Sequence, residues 1–348
     1  MTPSSARTAR LFGNLMSRRT PALALSLLLM GAAACSDSEV SSFPTPTLIS
    51  PTASTHTPKP TAASPTQPKK IVVIVMENSP YDTIVGNTAL HFIHDTIAPN
   101  TIALTQMHAN SAPSLPNYVW MAAGQSCGAD GSDSAWDRTC PSLFDQMDKH
   151  GIGWTVFAEG YPGGTGSCFT GVSSDTASND YARKHVPPLL FSSTSTGAAC
   201  TSHVRNFPND TPADGSAPVD NFKGVHLPAL TFVIPNLCHD MHNTASQCGA
   251  AQGDQPGGDL WLNRNWASLI QSAGPQGAVI LTWDEGETST EHIATFIGGA
   301  PVPSKGGTQD GHTYDHSSTL RAIEDALGLP CLAGACKATP LPILIPVK

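Results

Sequence analysis

Ile71-Val72-Val73-Ile74-Val75-Met76-Glu77-Asn78 is the stretch whose reading decides the fold. Its first five residues are all β-branched, with no polar alternation among them. A strand with one wet face alternates, whereas a strand covered on both faces, as inside a parallel sheet, does not. A buried helix gives a similar run, but this one is short and Pro68 closes it upstream. The run ends on a carboxylate and an amide. In open α/β sheets ligands bind beyond the carboxyl ends of the strands, so Glu77 and Asn78 stand where chemistry occurs. The competing reading is an acid that only caps the next helix.

The same punctuation recurs downstream. Segments 153–159, 230–236, 277–283 and 292–298 read as further core strands, and 97–105 as a strand or its approach. The run 230–236 leads into Asp240 and His242, two apart, which suit a metal or a phosphate as well as a solvated loop. The run 277–283 leads into Asp284-Glu285-Gly286-Glu287. Acids gathered at one sheet edge repel each other unless a cation or a proton offsets them, so repeated acidic endings imply a shared site.

Helices are expected over 81–85, 118–124, 141–150, 258–270 and 317–327. The last ends at Gly328 with Pro330 beyond, which is ordinary stop chemistry. Pro116 falls in the first turn of the 118–124 helix, so Ser114 sits at a helix N-terminus, where backbone N–H groups favour anions. Ser114 is there either a nucleophile or a plain N-cap. His185, between Lys184 and Pro187-Pro188, reads on local grounds as a surface residue. A hydroxyl at a helix start beside clustered acids points to metal-assisted phosphoryl transfer.

The 348 residues suffice for one large domain plus a tail. A net charge of −9 argues against nucleic acid as a partner. Residues 1–34 read as an export signal: Arg18-Arg19, an apolar core over 22–30, then Ala32-Ala33-Ala34-Cys35. The apolar core is short for a membrane span. Cys35 is either the lipidated residue of an envelope lipoprotein, tethering the chain to a membrane, or part of a plain cleavage site of a secreted or periplasmic protein. Ser17-Arg18-Arg19 carries a weak twin-arginine signal. Residues 35–68 are rich in Ser, Thr and Pro and are expected to form a disordered tether, with a catalytic domain over 69–348. Eight cysteines remain after Cys35, and an even set in an exported protein implies disulfides. Their spacing suggests the neighbour pairs 127–140, 168–200, 238–248 and 331–336, each typically worth roughly 3 kcal/mol in the chain-entropy model. Zinc-ribbon spacing is absent.

Six short motifs, in one order, resemble the bacterial phosphoesterase family. They are Val75-Met76-Glu77-Asn78, Pro113-Ser114-Leu115-Pro116-Asn117-Tyr118, Tyr181-Ala182-Arg183-Lys184-His185, the run from Ile234 to His242, Thr282-Trp283-Asp284-Glu285-Gly286, and the run from Asp315 to Arg321. That family holds secreted acid phosphatases and phosphatidylinositol-3-phosphatase-like enzymes beside phospholipases C. The resemblance implies an α/β fold like alkaline phosphatase, with a mostly parallel sheet flanked by helices. It implies Glu77, Asn78, Ser114, Asp284 and Glu285 as ligands of a divalent metal (Mg, Ca, Mn or Zn), with Ser114 as nucleophile. Asn117, His185 and His242 match phosphate contacts, and His185, His242 and His316 match catalytic histidines. Asp240 matches an acid of the site, and with His242 it is open to holding a second metal. His108 is a neighbour in sequence only. The implied substrates are phosphorylated small molecules or phosphoinositides, hydrolysed as monoesters through a phosphoserine. A phospholipase C-type diesterase and a non-catalytic lipoprotein that binds an anion are the alternatives.

Overall fold

Three neighbouring parallel strands carry the centre of the molecule: β1 (Lys70–Met76), β5 (Leu230–Ile234) and β6 (Gly277–Trp283), with β1 in the middle. Ile71 to Met76 are fully buried, as an unbroken apolar run requires of a strand covered on both faces. The computed structural model describes residues 65–164, 166–172, 181–209, 220–242 and 254–346, all within one unit, Pro60–Lys348. The expected signal and most of the tether, Cys35 included, lie outside the described residues. Thr66 pairs with Ile345 through two backbone hydrogen bonds, so the fold includes residues before the expected boundary at Lys69.

The sheet runs β4-β3-β5-β1-β6-β7-β2-β8, with β9 paired to β2. The outer strands are β2 (Ile102–His108), β3 (Trp154–Ala158), β4 (Val204–Arg205), β7 (His292–Gly299), β8 (Thr308–Asp310) and β9 (Tyr314–Asp315). β7 runs antiparallel to both its neighbours, while the other described pairings are parallel. The 292–298 reading thus found a strand without its direction. The 97–105 reading placed a strand too early: 93–100 is helical and β2 starts at Ile102.

The described α-helices are α1 (Tyr81–Ile84), α2 (Ser114–Ala123), α3 (Leu143–His150), α4 (Gly197–His203), α5 (Asp254–Ala273) and α6 (His316–Leu327), with a π turn over Ile93–Ile97 and short 3-10 turns between. α5 packs on β1, β6 and β7, and α2 packs on α3 and α6. α5 begins four residues earlier than expected. Both α2 and α6 end on left-handed glycines, Gly124 and Gly328.

Disulfides join Cys127 to Cys140, Cys168 to Cys200 and Cys331 to Cys336. Cys238 is also disulfide-bonded, and its expected partner Cys248 lies outside the described residues. Such bonds belong to proteins exported to oxidising compartments. None of the described helices is long and apolar enough to cross a membrane.

Candidate active site

Register brings the acids together. Met76 lies opposite Trp283, so Glu77 and Asp284 leave the sheet side by side. Ile74 lies opposite Val233, which sets the segment after β5 beside them, and the Glu77 N–H donates to the Asp240 carbonyl at 2.7 Å. Three strand ends therefore deliver Glu77, Asn78, Asp240, Asp284 and Glu285 to one edge. Asn78 (φ 23°) and Met241 (φ 78°) hold backbone conformations that side chains seldom adopt, at the two bends that turn these groups inward.

Ser114 is the first residue of α2, behind Pro113 as N-cap, and makes no capping bond. The N-cap alternative is thereby corrected: the hydroxyl faces the acids. Its Oγ lies 3.0 Å from Glu77 Oε2, 3.2 Å from Asn78 Oδ1 and 3.0 Å from Glu285 Oε1. One hydroxyl proton serves only one acceptor at a time, so with both carboxylates ionised two of these oxygens would face Ser114 without a proton between. Asn78 Nδ2 donates to Glu285 and Glu287, and the Asn78 N–H donates to Asp284 Oδ1. Tyr118, one helical turn after Ser114, donates its hydroxyl to Glu77 Oε1 at 2.6 Å.

The histidines ring this cluster. His185 is buried, which overturns its local reading as a surface residue; the turns after the Tyr181 loop fold it under α2. Its ring stacks on Tyr118, with Nε2 3.1 Å from Glu77 Oε1 and Nδ1 3.9 Å from Asp240 Oδ2. His242 sits at the rim, 37% exposed, with Nδ1 3.9 Å from Glu77 Oε2 and Nε2 3.9 Å from Glu287 Oε1. His316 opens α6 and is fully buried. Its Nε2 bonds the Asp284 carbonyl at 2.7 Å. A carbonyl only accepts, so Nε2 carries the proton and Nδ1 is a bare lone pair, with no hydrogen-bond partner.

Asn117 is fully buried, and its amide is mostly committed. Oδ1 accepts the Asn110 and Ser111 N–H groups, and Nδ2 donates to the Ser111 carbonyl at 2.7 Å. It folds the 110–117 turn and keeps one N–H in reserve.

Burial dominates the electrostatics. It raises Glu77 to about 8, with Asp240 adding to the effect, and Glu285 to about 7. It also drives Asp240 and Asp284 well above the usual carboxylate range. Burial pushes His185 and His242 below the ordinary histidine value. Asp240 Oδ2 and Asp284 Oδ2 are buried without hydrogen-bond partners. Among the described residues no three His, Cys, Asp or Glu side chains are placed so that they alone could hold a metal ion. The converging set is mixed: carboxylates, the Ser114 hydroxyl and the Asn78 amide oxygen. Partnerless buried carboxylate oxygens and a hydroxyl crowded by acceptors fit a hard cation that takes oxygen ligands.

Sequence reasoning gave no role to Tyr118, Lys184 or Asp133. Tyr118 was accessible through its four-residue spacing from Ser114. Lys184 pairs with Asp133, Nζ to Oδ2 2.6 Å, and the other Asp133 oxygen accepts the Leu115 N–H at 3.2 Å. No local signal in the loop announces that contact.

The Phosphoesterase family model matches residues 91–330. The phosphatidylinositol-3-phosphatase of Mycobacterium tuberculosis is 32% identical over 286 residues, covering 78% of this chain and 81% of that protein. An acid phosphatase of Aspergillus fumigatus is 28% identical, over 74% of this chain but 54% of that longer protein. A protein in the alkaline phosphatase superfamily from Vibrio parahaemolyticus superposes with a TM-score of 0.49 at 10% identity, covering 80% of this chain and 69% of the other. The chain belongs to the Phosphoesterase family and is a hydrolase of phosphoric esters.

Proposed function

We propose that this protein is a divalent-metal-dependent phosphomonoesterase that works through a phosphoserine at Ser114. The observation that carries this reading is the Ser114 hydroxyl, set among Glu77, Asn78 and Glu285 at 3.0–3.2 Å. Glu77, Asn78, Ser114, Asp284 and Glu285 would hold the ion, with Asp240 beside them, and the bound ion would lower the hydroxyl's pKa and screen the phosphate's charge.

The chain's own groups do the rest. Ser114 Oγ passes its proton to a flanking carboxylate and attacks phosphorus, the bond to the leaving oxygen breaks, and water later cleaves the phosphoserine. His242 stands at the rim with both ring nitrogens unencumbered by a short hydrogen bond, which suits it in its protonated form to give the leaving oxygen a proton, and then as the neutral ring to activate that water. His185 faces Glu77 with Nε2 3.1 Å from Oε1, and the second N–H of Asn117 would serve a phosphate oxygen. His316 acts one step back, by gripping the Asp284 backbone through Nε2.

A panel tests the reading: p-nitrophenyl phosphate, its bis-ester and a phosphoinositide, each with and without chelator. Monoester and phosphoinositide turnover that chelator abolishes and a divalent ion restores is expected. Full activity in chelator, or faster cleavage of the bis-ester, contradicts it. The similarity to a phosphatidylinositol-3-phosphatase supports a phosphoinositide substrate, and a lipid on Cys35 would hold the enzyme near one. Labelled fatty acid should enter the wild type and not Cys35→Ser; a mature chain beginning beyond Cys35 removes the tether from this account.

A further inference from the structure

Asp133 ties together two donors from neighbouring parts of the site, the amide that follows Ser114 and the lysine that precedes His185. Its Oδ1 accepts from the Leu115 N–H, the amide that follows Ser114 in α2, and its Oδ2 accepts from Lys184 Nζ. Lys184 precedes His185, and its charge acts on Glu77, Asp240 and His242. Burial works against that charge, but Glu77, Asp133 and Asp284 more than offset it, so the ammonium is firmly protonated. Its side chain is 25% exposed and that of Asp133 is 41% exposed, so both reach solvent. The loop that carries Asp133 is closed at both ends by the Cys127–Cys140 disulfide.

A carboxylate and a phosphate accept N–H and ammonium donors in the same way. A phosphomonoester dianion carries one more negative charge than a diester. We infer that Lys184 and the Leu115 amide form the recognition point for that second charge, and that Asp133 occupies it as an internal stand-in anion until the substrate takes its place. The inference rests on the phosphomonoesterase reading and supplies the residues that would select monoesters over diesters. An exposed ion pair with only a local structural role would leave both esters alike.

The test uses the full chain as wild type, Lys184→Gln, Lys184→Arg and Asp133→Asn. Steady-state kinetics are measured on p-nitrophenyl phosphate and its bis-ester, and inorganic phosphate binding by calorimetry. Lys184→Gln should lower kcat/KM for the monoester by about 10- to 100-fold, mainly through KM, because a hydrogen bond to a charged group is lost. The bis-ester should change far less, and Lys184→Arg should recover most of the loss. Asp133→Asn should lower the monoester KM and tighten phosphate binding, because the competing anion is gone. Equal losses on both esters in Lys184→Gln overturn the inference. So does phosphate binding weakened in Asp133→Asn, which would make Asp133 a support for the lysine. A wild type that cleaves neither ester sinks the phosphomonoesterase reading instead, while the phosphate-binding comparison among the variants still decides the roles of Lys184 and Asp133.

Discussion

α2 and α6 begin at the same carboxyl edge and begin in opposite ways. α6 opens with a complete capping box: Asp315 accepts the Ser318 N–H at 3.0 Å, and Ser318 Oγ accepts the Asp315 N–H at 3.2 Å. α2 opens behind Pro113, which has no side-chain acceptor, and its serine is turned away from the helix toward Glu77, Asn78 and Glu285. A helix that satisfies its own first turn has committed its polar groups to stability. A helix that leaves its serine uncommitted has it available for chemistry, and the stability must come from elsewhere. Here it comes from Asn117, which locks the 110–117 turn, from the Asp133 bond to Leu115, and from the packing of α2 on α3 and α6. The two starts are also complementary: the carbonyl that His316 holds belongs to Asp284, whose carboxylate holds the Asn78 amide.

The sharpest way to break this contrast is Ser114→Ala. A cap would cost about 1 kcal/mol of stability and no turnover. A nucleophile behaves the other way, because losing the attacking atom forfeits much of a rate enhancement that typically exceeds ~10⁶-fold. Turnover should fall by several orders of magnitude while the melting transition hardly moves.

The far ends of the same helices sharpen it. Gly124 (φ 65°) and Gly328 (φ 67°) hold the same left-handed conformation. A Cβ on Gly124 would meet the Leu332 carbonyl oxygen at 2.7 Å, whereas one on Gly328 would meet nothing within 4 Å. Gly328→Ala should cost about 1–2 kcal/mol from conformation alone, and Gly124→Ala about 2–4 kcal/mol because a backbone contact must also shift. Chemical denaturation of both variants checks the order, and equal losses would mean that the 331–336 loop yields freely.

Glu324 adds a pH signature to the quieter helix. It is buried on α6, with Oε1 accepting the Leu332 N–H and Oε2 without a partner. Burial raises its carboxyl from 4.5 to about 8. The folded state therefore holds a proton that the unfolded chain releases earlier, so its stabilisation is complete below pH 4.5 and is lost as pH rises through about 8. Glu324→Gln, which keeps an acceptor for Leu332, should lose less stability than wild type between pH 5 and 8, by on the order of 1–3 kcal/mol. Parallel denaturation curves across that range would contradict it. The smallest effect is expected at the cap itself: Asp315→Ala should lower stability by about 1 kcal/mol.

The central strands were legible because their burial on both faces leaves an unbroken apolar run, as in 71–76. Glu77, Asp240 and Asp284 were legible because they follow such runs, and their adjacency then follows from register. Ser114 was legible through Pro116, which marks a first turn. The direction of β7 was hidden, since hydrophobic pattern does not encode which way a strand points. His185 was misread because its neighbours, Lys184 and two prolines, look like surface, while its burial comes from α2, far away in sequence. Asp133 was hidden for the same reason: nothing in its loop indicates that it reaches the amide next to Ser114. Contacts made by loops across the fold are set by tertiary structure, and a local window cannot hold them.

A nucleophilic Ser114 must become phosphorylated during turnover. Rapid acid quench of the enzyme turning over a phosphorus-labelled monoester, followed by peptide mapping, reads this directly. Label is expected on the peptide that contains Ser114, at a level that rises within the first turnover, and none is expected in Ser114→Ala. Label reproducibly on another residue, or a Ser114→Ala enzyme that turns over near the wild-type rate, would contradict the account.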